Sequence, residues 1–292
     1  MENNKKILVT GAGGYIGRHV VKWLLDSNFN VLAVDFNIEE IDNRAEKMKI
    51  NIFDEKYDLY EILGKPDICL HMAWKDGFVH NSPEHMNNLS SHYKFIMNLV
   101  NSGLKHISVL GTIHEIGYWE GEVNSDTPTN PYSLYGIAKN SLRKSLEVSL
   151  KDKDVIFQWL RVFYILGDDT KNNSIFSKII DFEGEGKEKF PFTSGKNKYD
   201  FIEINKLAEY ISKVVRQDKI NGIINCSSGV PISLKDKVEE FIKINKFKIR
   251  PEYGVFPERK YDSPAMWGNN EKILSIVKKD NLEEENDFNN EQ

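Results

Sequence analysis

Short runs of apolar residues alternate with amphipathic segments through the first half of this 292-residue chain. We predict strands at 7–10, 31–35, 67–72, 106–110 and 155–161, and helices at 15–27, 87–100 and 131–150. A regular succession of strands and helices is typical of βα units, which build a parallel sheet covered by helices on both faces. The sequence therefore predicts an α/β fold of the Rossmann type, with a doubly wound parallel sheet.

The alternation stops after Gly167, where a polar loop precedes a segment rich in Gly, Lys and Glu at 184–198. Strands at 200–204 and 222–226, with a helix at 205–216 between them, are expected to return to the main sheet. The expected units are a dinucleotide-binding domain at 1–167 and 200–228, a smaller mixed α/β lobe at 168–199 and 229–280, and a disordered acidic tail at 281–292.

Composition and charge exclude several classes of protein. Hydrophobic residues make up 40% and charged residues 28%, which are ordinary values for a globular chain. The net charge of -5 provides no broad positive field for binding the phosphates of nucleic acids. We see neither an apolar stretch long enough to span a membrane nor an N-terminal signal segment, so we expect a cytoplasmic protein.

Cysteine and histidine usage gives no indication of a disulfide or a metal site. Cys69 and Cys226 each lie in a short apolar run, so we expect both to be small residues of the buried core. The seven histidines are scattered and show no metal-ligand spacing. We therefore assign no metal.

The segment 6–17 is predicted to pass from a strand through a glycine turn into a helix. Gly11, Gly14 and Gly17 follow a Gly-x-x-Gly-x-x-Gly spacing, whereas a Gly-x-Gly-x-x-Gly pattern would need glycine in place of Ile16. Glycine lets a backbone approach a pyrophosphate, and a helix N-terminus offers N–H groups and partial positive charge to it. The segment, with Tyr15 and Ile16 at the helix start, therefore predicts a dinucleotide site.

Asp35 ends the second predicted strand. A carboxylate at this place can accept hydrogen bonds from both ribose hydroxyls of an adenosine, and it would repel a 2′-phosphate. The next residues, Phe36 and Asn37, supply no positive charge to offset that repulsion. We therefore expect NAD(H) as the cofactor, with NADP(H) as the alternative.

Tyr135 and Lys139 lie four residues apart in a predicted helix, so they share one helix face. An ammonium group near a phenol stabilises the phenolate, which lets the tyrosine exchange a proton near neutral pH. A surface pair without chemistry is the alternative interpretation. The glycine turn upstream favours a catalytic pair.

Together these motifs resemble the extended short-chain dehydrogenases/reductases, the NAD-dependent epimerase, dehydratase and reductase family that acts on nucleotide sugars. Three further segments are similar to that family: His71-Met-Ala-Trp74, Leu160-Arg-Val-Phe-Tyr-Ile-Leu-Gly167 and Asp200-Phe-Ile-Glu203. The resemblance covers residues 6–280. It implies the Rossmann-type fold predicted above, with the smaller lobe binding substrate.

The resemblance also implies roles for single residues. A Ser or Thr after the strand at 106–110 completes the catalytic group, and Thr112 fits its spacing from the tyrosine, with Ser108 as the alternative. The implied catalytic residues are Thr112, Tyr135 and Lys139; the implied cofactor-binding residues are Gly11, Gly14, Tyr15, Ile16, Gly17, Asp35, Asn51, Ile52, Ala73, Trp74, Tyr135, Lys139 and Phe163; the implied substrate-binding residues are Thr112, His114 and Arg259.

The reaction is less constrained than the family. The resemblance favours NAD(P)H-dependent reduction of the C4 keto group of a nucleotide-linked 4-keto-6-deoxyhexose, a dTDP sugar above others, in the synthesis of surface deoxysugars. Dehydratases of the family carry adjacent Asp and Glu after the threonine, where this chain has Thr112-Ile-His-Glu115. A 4-epimerase, a 4,6-dehydratase and a non-catalytic NAD-binding protein remain as alternatives. The family also implies a homodimer formed through the helices at 87–100 and 131–150.

Overall fold

The computed structural model describes residues 5–54, 58–167, 174–258 and 262–290, with side chains described up to residue 282. Within these ranges the strands are β1 (Lys6–Thr10), β2 (Asn30–Val34), β3 (Glu46–Met48), β4 (Ile68–His71), β5 (His106–Thr112), β6 (Gly121–Val123), β7 (Ile156–Val162), β8 (Tyr164–Leu166), β9 (Lys189–Pro191), β10 (Lys198–Glu203), β11 (Gly222–Cys226), β12 (Pro231–Ser233), β13 (Arg250–Glu252) and β14 (Ala265–Gly268). The helices are α1 (Tyr15–Asp26), α2 (Leu59–Ile62), α3 (Glu84–Asn87), α4 (Leu89–Ser102), α5 (Leu134–Leu150), α6 (Ile175–Gly184), α7 (Ile204–Arg216), α8 (Leu234–Ile244) and α9 (Glu271–Asn290).

Seven parallel strands form the central sheet in the order β11-β7-β5-β4-β1-β2-β3. From β1 the chain moves outward through β2 to β3, and it then returns to pair β4 with the other side of β1. The chain therefore adds β2 and β3 on one side of β1 and the later strands, from β4 onward, on the other side. The place where the order reverses, between β1 and β4, is the topological switch point of a doubly wound sheet. The predicted Rossmann-type fold is confirmed.

Helices cover both faces of the sheet because each presents one apolar stripe. On one face, the buried sides of α1, α7 and α9 pack against the strands, with Val20, Leu207 and Ile273 fully buried. On the other face, α2, α4 and α5 form a second core that contains Leu99 and Leu142. No helix in the described ranges is long and apolar enough to cross a membrane.

The two cysteines are core residues, as the apolar runs around them predict. Cys69 lies on β4 and Cys226 on β11, and both are free thiols with no exposed surface. Burial raises the pKa of the Cys226 thiol to about 12 and also raises that of Cys69. Neither thiol is therefore a nucleophile near neutral pH.

A second, smaller unit is built around a five-stranded sheet in which β12, β10, β14 and β6 follow one another and β8 pairs with β10. A short two-stranded sheet, β13-β9, accompanies it. The core of this smaller unit is rich in phenylalanine, with Phe176, Phe190, Phe192 and Phe201 buried together. We refer to this unit, which comprises β6, β8, β9, β10, β12, β13 and β14 with α6 and α8, as the lobe.

The structure differs from the expected division of the chain at several places. Strands β6 and β8 lie within the range expected for the main domain, 1–167, but they pair with β14 and β10 in the sheet of the lobe. The strand expected at 200–204 is β10, which belongs to the lobe because it pairs with β8, β12 and β14. The segment after Glu271 was expected in the lobe, but it forms α9, which packs on α7 and β11 of the main domain. The backbone at 281–290 continues α9, whereas we expected a disordered tail. Asp280 anchors this helix by pairing with Lys213 and Arg216 of α7.

The helix predicted at 87–100 is interrupted. Only its first residue, Asn87, belongs to the short helix α3; Asn88 ends α3 and begins α4, which contains the remainder of the predicted helix. The backbone N–H of Asn88 and its side-chain amide both donate to the carbonyl oxygen of Glu84, the first residue of α3, at 3.1 and 3.0 Å. An asparagine that hydrogen-bonds the local backbone commonly marks such a helix boundary.

Candidate active site

The carboxyl ends of four strands meet at one edge of the central sheet. Thr10 ends β1, Asp35 follows β2, Ala73 follows β4 and Thr112 ends β5. This edge includes the switch point between β1 and β4, where doubly wound sheets bind their ligands. The residues predicted for cofactor binding and catalysis lie along it.

The glycine turn between β1 and α1 is packed too tightly for side chains. A Cβ atom on Gly17 would lie 2.1 Å from the carbonyl oxygen of Gly11, so only glycine fits there. Gly14 is the N-cap of α1, and in the described structure no side chain caps this N-terminus. The turn therefore leaves a helix N-terminus open to an anionic group such as a pyrophosphate.

Asp35 is bonded to the turn that precedes α1. Its Oδ2 atom accepts from the Gly13 N–H at 3.0 Å, and its Oδ1 atom accepts from the Asn37 N–H at 3.1 Å. The carboxylate is half-buried beside the turn. A carboxylate in this position fits an adenosine ribose with a free 2′-hydroxyl.

Other predicted cofactor residues are distributed unevenly around this edge. Ala73 adjoins the turn, because its N–H donates to the Thr10 hydroxyl at 3.4 Å and its backbone limits the space at Gly11. Asn51 and Ile52 lie in the loop after β3, where the side-chain oxygen of Asn51 accepts from the Phe53 N–H at 3.1 Å.

Tyr15 and Ile16 form the start of α1, with the Tyr15 hydroxyl against Gly167. Phe163 follows β7 and is buried in a small core with Ile113 and Met266.

Tyr135 stands in the first turn of α5. The Ser133 hydroxyl caps this helix by accepting from the Gly136 N–H at 3.1 Å. A Cβ atom on Gly136 would lie 2.3 Å from the carbonyl oxygen of His114, so glycine allows α5 to contact the turn after β5 closely. This approach brings the side chain of Tyr135 near that of Thr112, whose hydroxyl acts to lower the pKa of Tyr135.

Electrostatics at Tyr135 favour the protonated phenol. Burial raises its pKa to about 12, and the hydrogen bond from Thr112 opposes the shift. The negative charge of Glu115 adds to the increase. The lowering of the Tyr135 pKa that the spacing of Tyr135 and Lys139 predicts is not found, because burial and Glu115 raise this pKa and Lys139 does not offset them. Tyr135 therefore holds its proton, as a proton donor must before it reacts.

Ser108, the alternative to Thr112, lies away from this contact. It is fully buried on β5, where its hydroxyl donates to Gln158 Oε1 at 2.6 Å. Thr112 is the residue that the structure brings to Tyr135.

Lys139 lies one turn beyond Tyr135 and is only 2% exposed. Its Nζ atom donates to the Leu110 carbonyl oxygen at 2.8 Å and lies 3.8 Å from the centroid of the Trp74 ring. Burial lowers the pKa of the ammonium group to about 7, and the charge of Glu115 opposes that shift. The group can therefore gain or lose a proton near neutral pH.

Glu115 is fully buried, and neighbouring groups of the protein hold its carboxylate in place. Its Oε1 atom accepts from the Thr112 backbone N–H and from the Trp159 indole N–H, both at 2.8 Å. Its Oε2 atom lies 3.3 Å from Arg143 Nε and 3.6 Å from Arg161 Nη2. These four partners fix the carboxylate beneath the turn 113–115, so it is not a free acid.

Sequence reasoning missed a histidine cluster. Five of the seven histidines, His71, His80, His85, His92 and His114, gather around Trp74 and Tyr135. The rings of His80 and Tyr135 are stacked with centroids 5.7 Å apart, and those of His80 and His114 are 4.2 Å apart. For His92 a signal existed, because it shares the buried face of α4 with Phe95, Ile96 and Leu99.

A cavity of about 1020 Å³ opens beside this cluster, between the main domain and the lobe. The main domain contributes His80 and His114, and the lobe contributes Phe192, Tyr199 and Met266. Arg259, the predicted phosphate ligand, lies outside the described residues. Among the side chains that are described, no group of three or more His, Cys, Asp or Glu could hold a metal ion.

The parallel sheet, the glycine turn with Asp35, and the Tyr135–Lys139 pair beside a cavity define a dinucleotide-dependent enzyme of the Rossmann class. A family model described as the NAD dependent epimerase/dehydratase family matches residues 7–227. The chain belongs to this family, which confirms the resemblance and the expectation of an NAD-dependent enzyme.

Individual proteins support the same assignment. The chain is 44% identical over 270 residues to a dTDP-6-deoxy-L-talose 4-dehydrogenase (NAD(+)) from Aggregatibacter actinomycetemcomitans, covering 90% of this chain and 98% of that protein. A UDP-glucuronic acid 4-epimerase from Bacillus cereus, solved with UDP-glucuronic acid and NAD, has a TM-score of 0.80 at 23% identity, covering 94% and 93% of the two chains. A UDP-N-acetylglucosamine 4-epimerase from Methanobrevibacter ruminantium has a TM-score of 0.81 at 21% identity, covering 94% and 92%. The solved structures share the fold of this chain.

Proposed function

We propose that this protein reduces the C4 keto group of a nucleotide-linked 4-keto-6-deoxyhexose, with a dTDP sugar as the preferred substrate. The observation that carries the proposal is the 44% identity, over nearly the whole length, to a dTDP-6-deoxy-L-talose 4-dehydrogenase. Oxidation of a C4 hydroxyl and reduction of the C4 ketone are the two directions of one reaction, so a single set of residues serves both.

NAD(H) is the proposed cofactor, and NADPH would meet repulsion at Asp35. The residues that would hold it are the glycine turn, Asp35, the loop at 51–52, Ala73 and Lys139. When bound, reduced NAD supplies the hydride that converts the ketone carbon to an alcohol carbon. All other steps belong to side chains of the protein.

Tyr135 is the proposed proton donor to the oxygen of the ketone. Its protonated state at neutral pH and its contact with Thr112 support this role. Thr112 would donate a hydrogen bond to the same oxygen while negative charge develops there. Lys139, one helical turn away, would stabilise the phenolate that remains after proton transfer.

The cavity between the main domain and the lobe is the proposed substrate site. It is lined by His114, whose ring centroid lies 6.0 Å from that of Tyr135, and by the lobe residues Thr193 and Asn197. Burial and the nearby His80 lower the pKa of His114 to about 3, so this imidazole is neutral at physiological pH. A neutral imidazole can donate or accept a hydrogen bond to a sugar hydroxyl.

The position of Glu115 argues against dehydration. A dehydratase needs an acid and a base that reach the sugar, and Glu115 is instead held by Thr112, Trp159, Arg143 and Arg161. A 4-epimerase uses the same catalytic pair and differs in retaining its cofactor through the reaction. Product analysis distinguishes an epimerase from the proposed reductase.

The test is incubation of the purified protein with NADH and dTDP-4-keto-6-deoxyglucose or its 4-keto epimer, followed at 340 nm and by NMR of the product. We expect one NADH oxidised per C4 hydroxyl formed.

Tyr135→Phe should lower turnover by about 100-fold or more, since general acid catalysis contributes that much. Tyr60→Phe, on α2, is the matched control. In a parallel incubation of the 4-hydroxy nucleotide sugar without NADH, interconversion of the two C4 epimers would instead identify an epimerase. Full activity of Tyr135→Phe would refute the residue assignment.

The homodimer that the family implies is also proposed for this chain. The outer faces of α3, α4 and α5 form a groove lined by Met86, Leu89, Tyr93 and Val148, and Val148 is 78% exposed. Two copies packed through these helices would bury that apolar surface. Light scattering of the purified protein should give a dimer mass, and Val148→Glu should shift it toward the monomer.

A further inference from the structure

The ammonium group of Lys139 is buried without a carboxylate partner. Within the described part of the chain, none of the ion pairs includes it. Its two favourable contacts are the hydrogen bond to the Leu110 carbonyl oxygen at 2.8 Å and the face of Trp74 at 3.8 Å. Because burial penalises a charge strongly, whatever offsets that penalty decides whether the group remains an ammonium ion.

We propose that Trp74 is a positioning residue for Lys139, and that its indole face keeps the lysine side chain charged and in place beside Tyr135. An aromatic face attracts a cation through the ring quadrupole, most strongly for tryptophan and at desolvated sites. The distance of 3.8 Å lies well within the range in which this attraction acts. The importance of Lys139 for turnover rests on the proposed function, whereas its contact with Trp74 does not.

Trp74 is itself held in a fixed orientation. Its indole N–H donates to Nδ1 of His85 at 3.0 Å, and Nε2 of His85 contacts the Val79 carbonyl oxygen at 2.9 Å. That carbonyl can only accept, so Nε2 carries the proton and Nδ1 is free to accept from Trp74. The His92 ring is stacked on Trp74 at 4.2 Å and 13°. His85 and His92 therefore fix the orientation of the Trp74 ring independently of Lys139.

The other titratable groups around Lys139 do not replace the ring. Burial lowers the pKa of His71 to about 3 and that of His92 well below its usual value, so both are neutral near pH 7. Tyr135 is protonated, for the reasons given above. Glu115 carries the nearby negative charge, but it is paired with Arg143 and Arg161. Removing the indole should therefore favour the neutral amine of Lys139.

Titration of ¹³Cε-labelled lysine by NMR, on the protein without added cofactor, tests this directly. Because burial lowers the pKa of Lys139 to about 7, its signal should be separable from those of surface lysines, and Lys139→Arg identifies it. Trp74→Leu should move the titration midpoint down by about one pH unit, a tenfold change in the ratio of ammonium to amine. Trp74→Phe keeps an aromatic face and should give a smaller decrease. Trp23→Leu, which removes a half-buried indole from α1, should leave the midpoint unchanged.

Replacement of tryptophan by fluorinated tryptophan provides a second test that preserves shape. Fluorination withdraws electron density from the ring face, so the midpoint should fall with each added fluorine, and this trend should vanish in Trp74→Phe. A midpoint that stays constant or rises in Trp74→Leu, or an equal decrease in Trp74→Phe, would overturn the inference. If the expected titration shift is found while no keto sugar is reduced, the proposed function fails and the role of Trp74 stands.

Discussion

The Glu115 carboxylate accepts a hydrogen bond from the backbone N–H of Thr112 at 2.8 Å, while the Thr112 hydroxyl accepts from the His114 N–H at 3.3 Å. These reciprocal bonds form a capping box around the turn 113–115. The turn directs Thr112 toward Tyr135. Glu115 thus acts on the site through the backbone of Thr112.

Replacing Glu115 should therefore destabilise the protein. Glu115→Gln leaves the two buried guanidinium groups of Arg143 and Arg161 without their shared negative charge, which should cost about 3–5 kcal/mol of unfolding free energy. Urea unfolding measures this loss. Glu147→Gln is the matched control, because Glu147 pairs with the same Arg143 from a partly exposed position and should contribute about 0–1 kcal/mol. Equal stabilities of the two variants would contradict the expected role of Glu115.

The glycine turn gives a prediction about cofactor binding. In Gly17→Ala the new methyl group would lie 2.1 Å from the Gly11 carbonyl oxygen, so the turn or the start of α1 must move. We expect the Kd for NAD⁺ to rise about tenfold or more, because about 1.4 kcal/mol of misalignment is enough to produce that change. Calorimetric titration measures it. Gly184→Ala, where the added methyl group meets nothing within 4 Å, should bind NAD⁺ normally. Unchanged binding in Gly17→Ala would show that the turn can relax.

Cofactor preference should depend on the charge of Asp35. Asp35→Ser removes the negative charge that would repel a 2′-phosphate, so the ratio of kcat/KM for NADPH to that for NADH should rise about tenfold. Activity with both cofactors should also fall, since the Asp35 carboxylate accepts from the Gly13 N–H of the turn. Asp67→Ser, at the opposite end of the sheet, should keep the ratio of the unaltered protein. A constant ratio in Asp35→Ser would count against the predicted basis of NAD(H) preference.

Buried neutral histidines should make the protein sensitive to acid. Burial, together with the charge of Lys139, lowers the pKa of His71 to about 3. In the unfolded chain its pKa is about 6.5, so between these values the unfolded state binds the extra proton and stability falls as pH falls. Between pH 7.5 and 5.0, His71 alone should cost about 2 kcal/mol of unfolding free energy. Urea unfolding of His71→Asn at both pH values should show a correspondingly smaller difference, and a difference equal to that of the unaltered protein would contradict the prediction.

Most of the fold could be predicted because the relevant signals are local. The strands β1, β2, β4, β5 and β7 and the helices α1 and α5 lie within a few residues of their predicted bounds. The apolar periods that define them depend only on residues within one element. Strand β10 was placed in the wrong sheet because its composition fits either sheet, and only its pairing with β8, β12 and β14 distinguishes the two.

The site shows the same division between local and distant relationships. Tyr135 and Lys139 are recognisable from their spacing, because four residues span about one turn of a helix. The contact between Lys139 and Trp74 joins α5 to the loop after β4 and has no counterpart in the spacing of either segment. The histidines are equally scattered along the chain, although five of them meet near the same helix.

The amino-acid sequence alone determined the sheet architecture, the dinucleotide turn and the Tyr-Lys pair, because each is written in neighbours along one strand, turn or helix. Tertiary structure decided which groups surround that pair: the arginines that hold Glu115, the indole against Lys139, and the imidazoles beside Tyr135. Those partners come from different strands and loops, and the order of strands in the sheet brings them together. Their charges and pKa values follow from burial, which arises only when the elements pack.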